Sequence, residues 1–170
     1  LMLRLRVAKG SAPSPDTLAQ AEEVAAQYGL KVPPRIVVLP GVESAFVCGP
    51  LAPVLVLPER GVDDKVLLHE LLHLKYGDLW AGVSICALRC LHWCNPLLWH
   101  CWDLAQNDSE ALCDQRVLER LEGEARREYG VILLSMADDK YARAPGTTSM
   151  ANGGRNIKAR ISSIARFKRY

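Results

Sequence analysis

Apolar residues recur along this chain with two different periods, and the changes of period mark its segments. From Pro15 to Tyr28 the positions Leu18, Ala21, Val24 and Ala25 fall on one helical face, which predicts an amphipathic helix with those four inward and Gly29 as its end. Arg35 to Leu39 reads as a strand. Ala45 to Cys48 and Val54 to Leu57 read as two more, and Gly49-Pro50 between them predicts a hairpin-like pair. Val66, Leu67, Leu68, Leu71, Leu72 and Leu74 then return to helical spacing. Asp63-Asp64 offers this helix an N-cap and an acid in its first turn, and Gly77 suits its end. A later helical stretch runs from Glu110 through Val117, Leu118 and Leu121. Another spans Glu124 to Ala137, with Tyr129, Ile132, Leu133 and Met136 as its core positions. Pro145 to Ser149 and Asn152-Gly153-Gly154 predict a flexible loop before a basic final helix. The expected fold class is α+β, mostly helical, with a small sheet next to the helix that carries Leu67 and Leu71.

The stretch from Leu79 to Trp102 departs from this alternation. Its charged or titratable residues other than cysteine are Arg89, His92 and His100, and it holds all four tryptophans: Trp80, Trp93, Trp99 and Trp102. The apolar portion before Asn95-Pro96 covers roughly 16 residues and contains Arg89, short of the roughly 20 needed to cross hydrocarbon. The expectation is a membrane-contacting or interfacial helix, with burial in protein as the alternative.

Composition changes the picture little. With 49% hydrophobic and 24% charged residues, 170 residues can form a single domain, 1–170, with a core that needs neither disulfides nor a partner. The net charge of +2 is uninformative, but its distribution is not. Arg4, Arg6 and Lys9 cluster at one end, while Arg155, Lys158, Arg160, Arg166, Lys168 and Arg169 crowd the other. No recognised nucleic-acid motif accompanies them, so direct nucleic-acid binding is not expected. The chain opens on Leu1 without a charged-then-apolar signal segment, and reads as a fragment of a longer protein. Six cysteines occur, three of them (Cys86, Cys90, Cys94) every fourth residue. The expectation is that they fill a helix face as small apolar residues in a reducing compartment. A second metal site built from Cys86, Cys90, Cys94 or Cys101 is the alternative.

Within the helix that starts at Asp63 stands His69-Glu70-Leu71-Leu72-His73. Histidines four apart on a helix share a face and can bind one zinc ion, while the intervening glutamate can hold a water against it. A catalytic zinc needs a third protein ligand and one open position. Glu110 is the best candidate, and Asp114, four residues on and on the same face, could accept the free N–H of a ligand histidine. Asp78 could orient a ligand or simply end the helix.

His69-Glu70-Leu71-Leu72-His73-Leu74-Lys75-Tyr76-Gly77-Asp78, Asn95-Pro96 with Trp99, and Glu110-Ala111-Leu112-Cys113-Asp114 together resemble the zinc domain of the β-lactam sensor-transducers of the BlaR and MecR type. The resemblance extends to Phe46-Val47-Cys48-Gly49, Pro53 to Pro58 and Asn156 to Ile161, and so spans nearly the whole chain. It implies a zincin-like gluzincin domain at the cytoplasmic face of a bacterial membrane, with termini abutting membrane helices. It also implies cleavage of a cognate repressor or of the chain itself. In gluzincins the edge strand beside the zinc helix holds the substrate extended. Here that would be Ser44, Ala45, Phe46, Val47 and Cys48, though an ordinary core strand is the equal alternative.

Zinc held by His69, His73 and Glu110 would polarise a scissile carbonyl, and Glu70 would take the proton of water and pass it to the leaving amine. Donors to the oxyanion are sought among Tyr141, Arg155, Asn156 and Arg160, with His92 and His100 behind them. Two further readings stand beside this one. The first is a CAAX-type or quality-control membrane gluzincin, which expects Ala where Cys113 stands. The second is a non-enzymatic module in which zinc only holds helices together, against which the intact Glu70 weighs.

Overall fold

The computed structural model describes residues 10–33, 35–138, 160–162 and 164. Its elements are α1 (Pro15–Gln27), β1 (Arg35–Leu39), β2 (Phe46–Cys48), β3 (Val54–Pro58), α2 (Asp64–Tyr76), α3 (Asp78–Leu91), α4 (Pro96–Arg120) and α5 (Glu124–Asp138). Residues 160–162 and 164 are also helical. The chain is thus mostly helical with one small sheet, as the α+β expectation has it.

The three strands lie in the order β1-β3-β2. β3 is central, parallel to β1 with Ile36 opposite Leu55, and antiparallel to β2 with Val47 opposite Leu55. Gly49 begins the β2–β3 turn with φ of 85°, and a Cβ there would lie 2.5 Å from the Ala52 carbonyl oxygen, so glycine is required on both counts. Because side chains alternate across a strand, the sheet has two apolar faces. Ile36, Val47, Leu55 and Leu57 join the main core with α1, α2, α4 and α5, while Val37, Leu39, Phe46 and Val56 form a second cluster. The strand predicted to start at Ala45 starts one residue later, and Ala45 is buried in the main core.

α1 presents Ala21, Val24 and Ala25 inward, but Leu18 is 39% exposed, contrary to expectation. Three buried positions already fill the contact with α2, leaving Leu18 at the rim of the apolar stripe. Gln20 ties α1 to the start of α2 through Val62 O at 2.9 Å and Asp64 Oδ1 at 2.6 Å.

α2 is the centre of the molecule. Asp63 caps it by accepting from Lys65 N at 2.9 Å, and Gly77 ends it in the left-handed region at φ 73°. Every residue from Val66 to His73 is buried, since α1, β2, α3 and α4 all pack around it. Burying each leucine here contributes roughly 1.5–3 kcal/mol. α5 is fastened over this core by Arg126 Nε, which donates to Leu118 O and Leu121 O, and by Lys65–Glu128 at 2.9 Å. Of its predicted core positions Tyr129 and Leu133 are buried and Ile132 is half-buried. Met136 falls within α5, and the loop at 145–154 lies outside the described residues.

α3 and the start of α4 form a helical hairpin turned at Asn95, which caps α4 by accepting from Leu97 N at 3.0 Å. No residue of α3 is buried. Leu91 is 75% and Trp93 73% exposed, and Trp80 and Trp99 are exposed as well. Burial in protein, the alternative for this stretch, is therefore not what the fold does with it. The cysteine expectation is corrected on the same ground: Cys86, Cys90, Cys94 and Cys101 are exposed, on a hairpin whose first helix packs mainly against α2 and α4 among the described residues. No helix among the described residues is long and apolar enough to cross a membrane.

Candidate metal centre

The buried middle of α2 carries two histidines and a glutamate where an apolar helix would carry leucines. His69, Glu70 and His73 are at most 1% exposed. One turn separates the histidines, so their rings meet edge to face with centroids 4.6 Å apart and Nε2 atoms 3.0 Å apart. α4 crosses α2 and brings in Glu110, whose two carboxylate oxygens each stand 3.5 Å from an Nε2, one at His69 and one at His73. The three residues sought as ligands are thus adjacent.

The far side of each ring is occupied. His73 Nδ1 is 2.6 Å from Asp78 Oδ2, on the first turn of α3. Asp78 does not end α2, which Gly77 closes; it is the first residue of α3 and faces the His73 ring. His69 Nδ1 is 2.9 Å from the Tyr129 hydroxyl, which donates to Asp114 Oδ1 at 2.6 Å. Asp114 itself is 3.5 Å from His69 Nδ1, so it reaches the ring through Tyr129 rather than directly. Arg160 in turn holds Asp114 with two bonds, Nε to Oδ2 at 2.5 Å and Nη2 to Oδ1 at 2.7 Å, while its Nη1 is 3.2 Å from Glu110 Oε2.

These contacts decide which electron pairs point inward. With an acceptor at each Nδ1, both Nε2 lone pairs converge on the small space that the Glu110 oxygens also face. Cys113 adds a fourth candidate donor. Ligand atoms of His69, His73 and Cys113 all lie within 4.8 Å of one another, a grouping that could hold a metal ion, and the Cys113 thiol donates to His69 O at 3.4 Å. Among the described residues this is the grouping of metal-binding side chains that stands out, and it does not include Cys86, Cys90, Cys94 or Cys101.

The electrostatics point the same way. Burial pulls the His69 ring down, but the Cys113 sulfur and the Glu110 carboxylate beside it leave it raised to about 10. His73, buried likewise, is held well above the usual histidine range by its bond to Asp78 and by Cys113. Burial opposes ionisation of Glu110, yet the His69 hydrogen bond, both histidines and Arg160 bring it down to about 2. The Cys113 thiol, also buried, is lowered to about 7 by the same histidines. The bases and acids of this cluster shift one another, as opposite charges held close together do.

Glu70 is the exception. Burial raises its carboxyl to about 7. Neither of its oxygens has a hydrogen-bond partner among the described residues, whereas Glu110 Oε2, which also accepts no hydrogen bond, is ion-paired with Arg160. Buried carboxylate oxygens left unpaired cost several kcal/mol by order of magnitude, which favours a ligand or water at this position.

The remaining sequence-derived candidates separate. Phe46 to Cys48 form one of the two edge strands of the sheet, Ser44 and Ala45 lead into it, and β2 packs against α2. His92 and His100 are exposed on the hairpin. Tyr141, Arg155 and Asn156 lie outside the described residues. Arg160 is committed to carboxylates rather than presented as an oxyanion donor. Tyr129, expected only as a core residue, touches the site, and helical spacing gave no signal of its hydroxyl's partners.

Residues 2–164 match the family model described as BlaR1 peptidase M56. The regulatory protein BlaR1 of Bacillus licheniformis is 28% identical over 137 residues, covering 76% of this chain and 23% of that protein. The methicillin resistance mecR1 proteins of Staphylococcus aureus strain Mu50 and of Staphylococcus epidermidis are each 29% identical over 133 residues, covering 73% of this chain and 23% of theirs. The chain therefore spans under a quarter of the length of these relatives.

Proposed function

The chain belongs to the BlaR1 peptidase M56 family, and on that basis we propose that it is a zinc endopeptidase domain that cuts a regulatory protein, a repressor or its own chain, at a membrane surface. The single observation that carries the metal is the convergence of both Nε2 atoms and the Glu110 carboxylate on one buried space. His69, His73 and Glu110 would hold the ion. Cys113 offers a sulfur nearby, but its thiol already donates to the His69 carbonyl. Bound there, zinc supplies Lewis acidity toward the scissile carbonyl and lowers the pKa of a water to about 7.

The chain's own residues supply the rest. Glu70 is fully buried and without a hydrogen-bond partner among the described residues, and burial raises its carboxyl to about 7. A base so tuned can take a proton from water and return it to the departing amine. Asp78 and Tyr129 keep the two rings turned. Ser44 to Cys48 is our choice for the strand that receives an extended peptide, supported by its edge position and its packing on α2. The membrane surface is supported by the exposed Trp80, Leu91, Trp93 and Trp99. The regulatory substrate is supported by the likeness to the regulatory protein BlaR1 of Bacillus licheniformis.

The test compares zinc content and hydrolysis of casein and repressor peptides for the wild type and Glu70→Gln. Expected is one zinc in both, with hydrolysis reduced about 10²–10⁴-fold by the substitution. Bound zinc with no cleavage in either protein would leave only a structural role for the metal.

A further inference from the structure

Asp114 is near enough to influence His69 but not to bond it, at 3.5 Å from Nδ1. The space between is filled by the Tyr129 hydroxyl, 2.9 Å from the ring nitrogen and 2.6 Å from the carboxylate. A phenol has one proton and can accept with its oxygen lone pairs. Since Tyr129 donates to Asp114, its oxygen is left to accept from His69 Nδ1–H. Every member of this chain is buried: His69 and Tyr129 at 0%, Arg160 at 2%, Asp114 at 3% exposure. In so dry a place an unpaired phenol would be costly, and its orientation is fixed by its two neighbours. Asp114 is itself held by two bonds from Arg160, whose third nitrogen faces Glu110.

We propose that Tyr129 is a positioning residue for the metal centre: its hydroxyl transmits the hold of the Arg160-anchored Asp114 carboxylate to His69 Nδ1, keeping Nε2 free and aimed inward. The same guanidinium spans Asp114 and Glu110, so one anchor serves the support of one ligand and another ligand directly. The arrangement differs at the second histidine, where Asp78 bonds His73 Nδ1 with nothing between. The proposal rests on the reading of His69 as a metal ligand.

The experiment uses the whole chain as wild type, Tyr129→Phe, Asp114→Asn and the double variant. Zinc affinity is read by chelator competition, fold by circular dichroism, and the His69 Nδ1–H resonance by NMR on ¹⁵N-histidine-labelled protein with and without zinc. Tyr129→Phe keeps the ring and its packing, and is expected to retain the fold while zinc binding weakens about 10–100-fold. The hydrogen-bonded Nδ1–H resonance should shift or exchange away. Asp114→Asn should weaken binding similarly, and the double variant should be no weaker than the worse single one, because both break one chain. Wild-type zinc affinity together with an unchanged Nδ1–H resonance in Tyr129→Phe would overturn the proposal, as would losses that multiply in the double variant. If Asp114→Asn does not fold, Tyr129→Phe alone decides by affinity and resonance. If wild type binds no zinc, the metal reading fails, while the resonance in metal-free protein still tests the chain.

Discussion

Two neighbouring helices of this molecule invert the usual rule of burial. α2 hides two histidines and a glutamate among its buried residues, whereas the more apolar α3 hides nothing. What separates them is the number of packed neighbours: α2 is surrounded by α1, β2, α3 and α4, and α3 touches α2 and α4. Side-chain hydrophobicity favours burial but does not by itself supply a second layer. Polar residues stay inside α2 because nearly all of them meet a partner of matching chemistry, Glu70 excepted. On the hairpin, by contrast, Arg89 lies 3.9 Å from the Trp99 ring and 5.1 Å from the Trp102 ring, a cation over aromatic faces at the surface.

The contrast can be probed by truncation. Leu67→Ala, in the wholly buried part of α2, should cost about 2–5 kcal/mol in denaturant unfolding. Leu88→Ala, on the exposed face of α3, should stay within about 0.5 kcal/mol. Equal costs would mean that the hairpin is packed against something in the free protein. Next in size is the metal: zinc at one hundred times its Kd should stabilise the wild type by about 2.7 kcal/mol, read as a rise in Tm, and Glu110→Ala should lose that increment. A full increment in Glu110→Ala would move the third ligand elsewhere, with Cys113 next in line. Smallest per residue is the surface. Replacing Trp80, Leu91 and Trp93 by serine should weaken sedimentation with anionic vesicles, each by about tenfold or less, and leave zinc content unchanged. Unaltered vesicle binding would remove the membrane from the reading of this face.

The strands and helices were legible because their periods and punctuation are local. β1 falls on Arg35–Leu39 as expected, α2 is capped by Asp63 and closed by Gly77, and α5 begins at Glu124. The pair His69 and His73 was legible for the same reason, one helical turn being a local rule. Tyr129 and Arg160 were not. Helical spacing places Tyr129 in the core but cannot say that its hydroxyl meets a residue 60 positions earlier, and Arg160, expected in a basic end segment and as a candidate oxyanion donor, is buried against two carboxylates. Leu79 to Trp102 was ambiguous in principle, since an apolar stretch reads alike whether protein or something else covers it.

Arg160 also bears on how the domain is made. The ligand candidates all precede Asp114 in the chain, while the tyrosine that steadies one of them follows by 15 residues and the guanidinium by 46. At roughly 5–20 residues per second of synthesis, the growing chain spends a few seconds with its histidines and carboxylates made but their anchor not yet polymerised. During that interval Asp114 and Glu110 lack the cation that neutralises them. A cluster whose cation is made 46 residues after the carboxylate it holds cannot be completed until that later stretch has been synthesised.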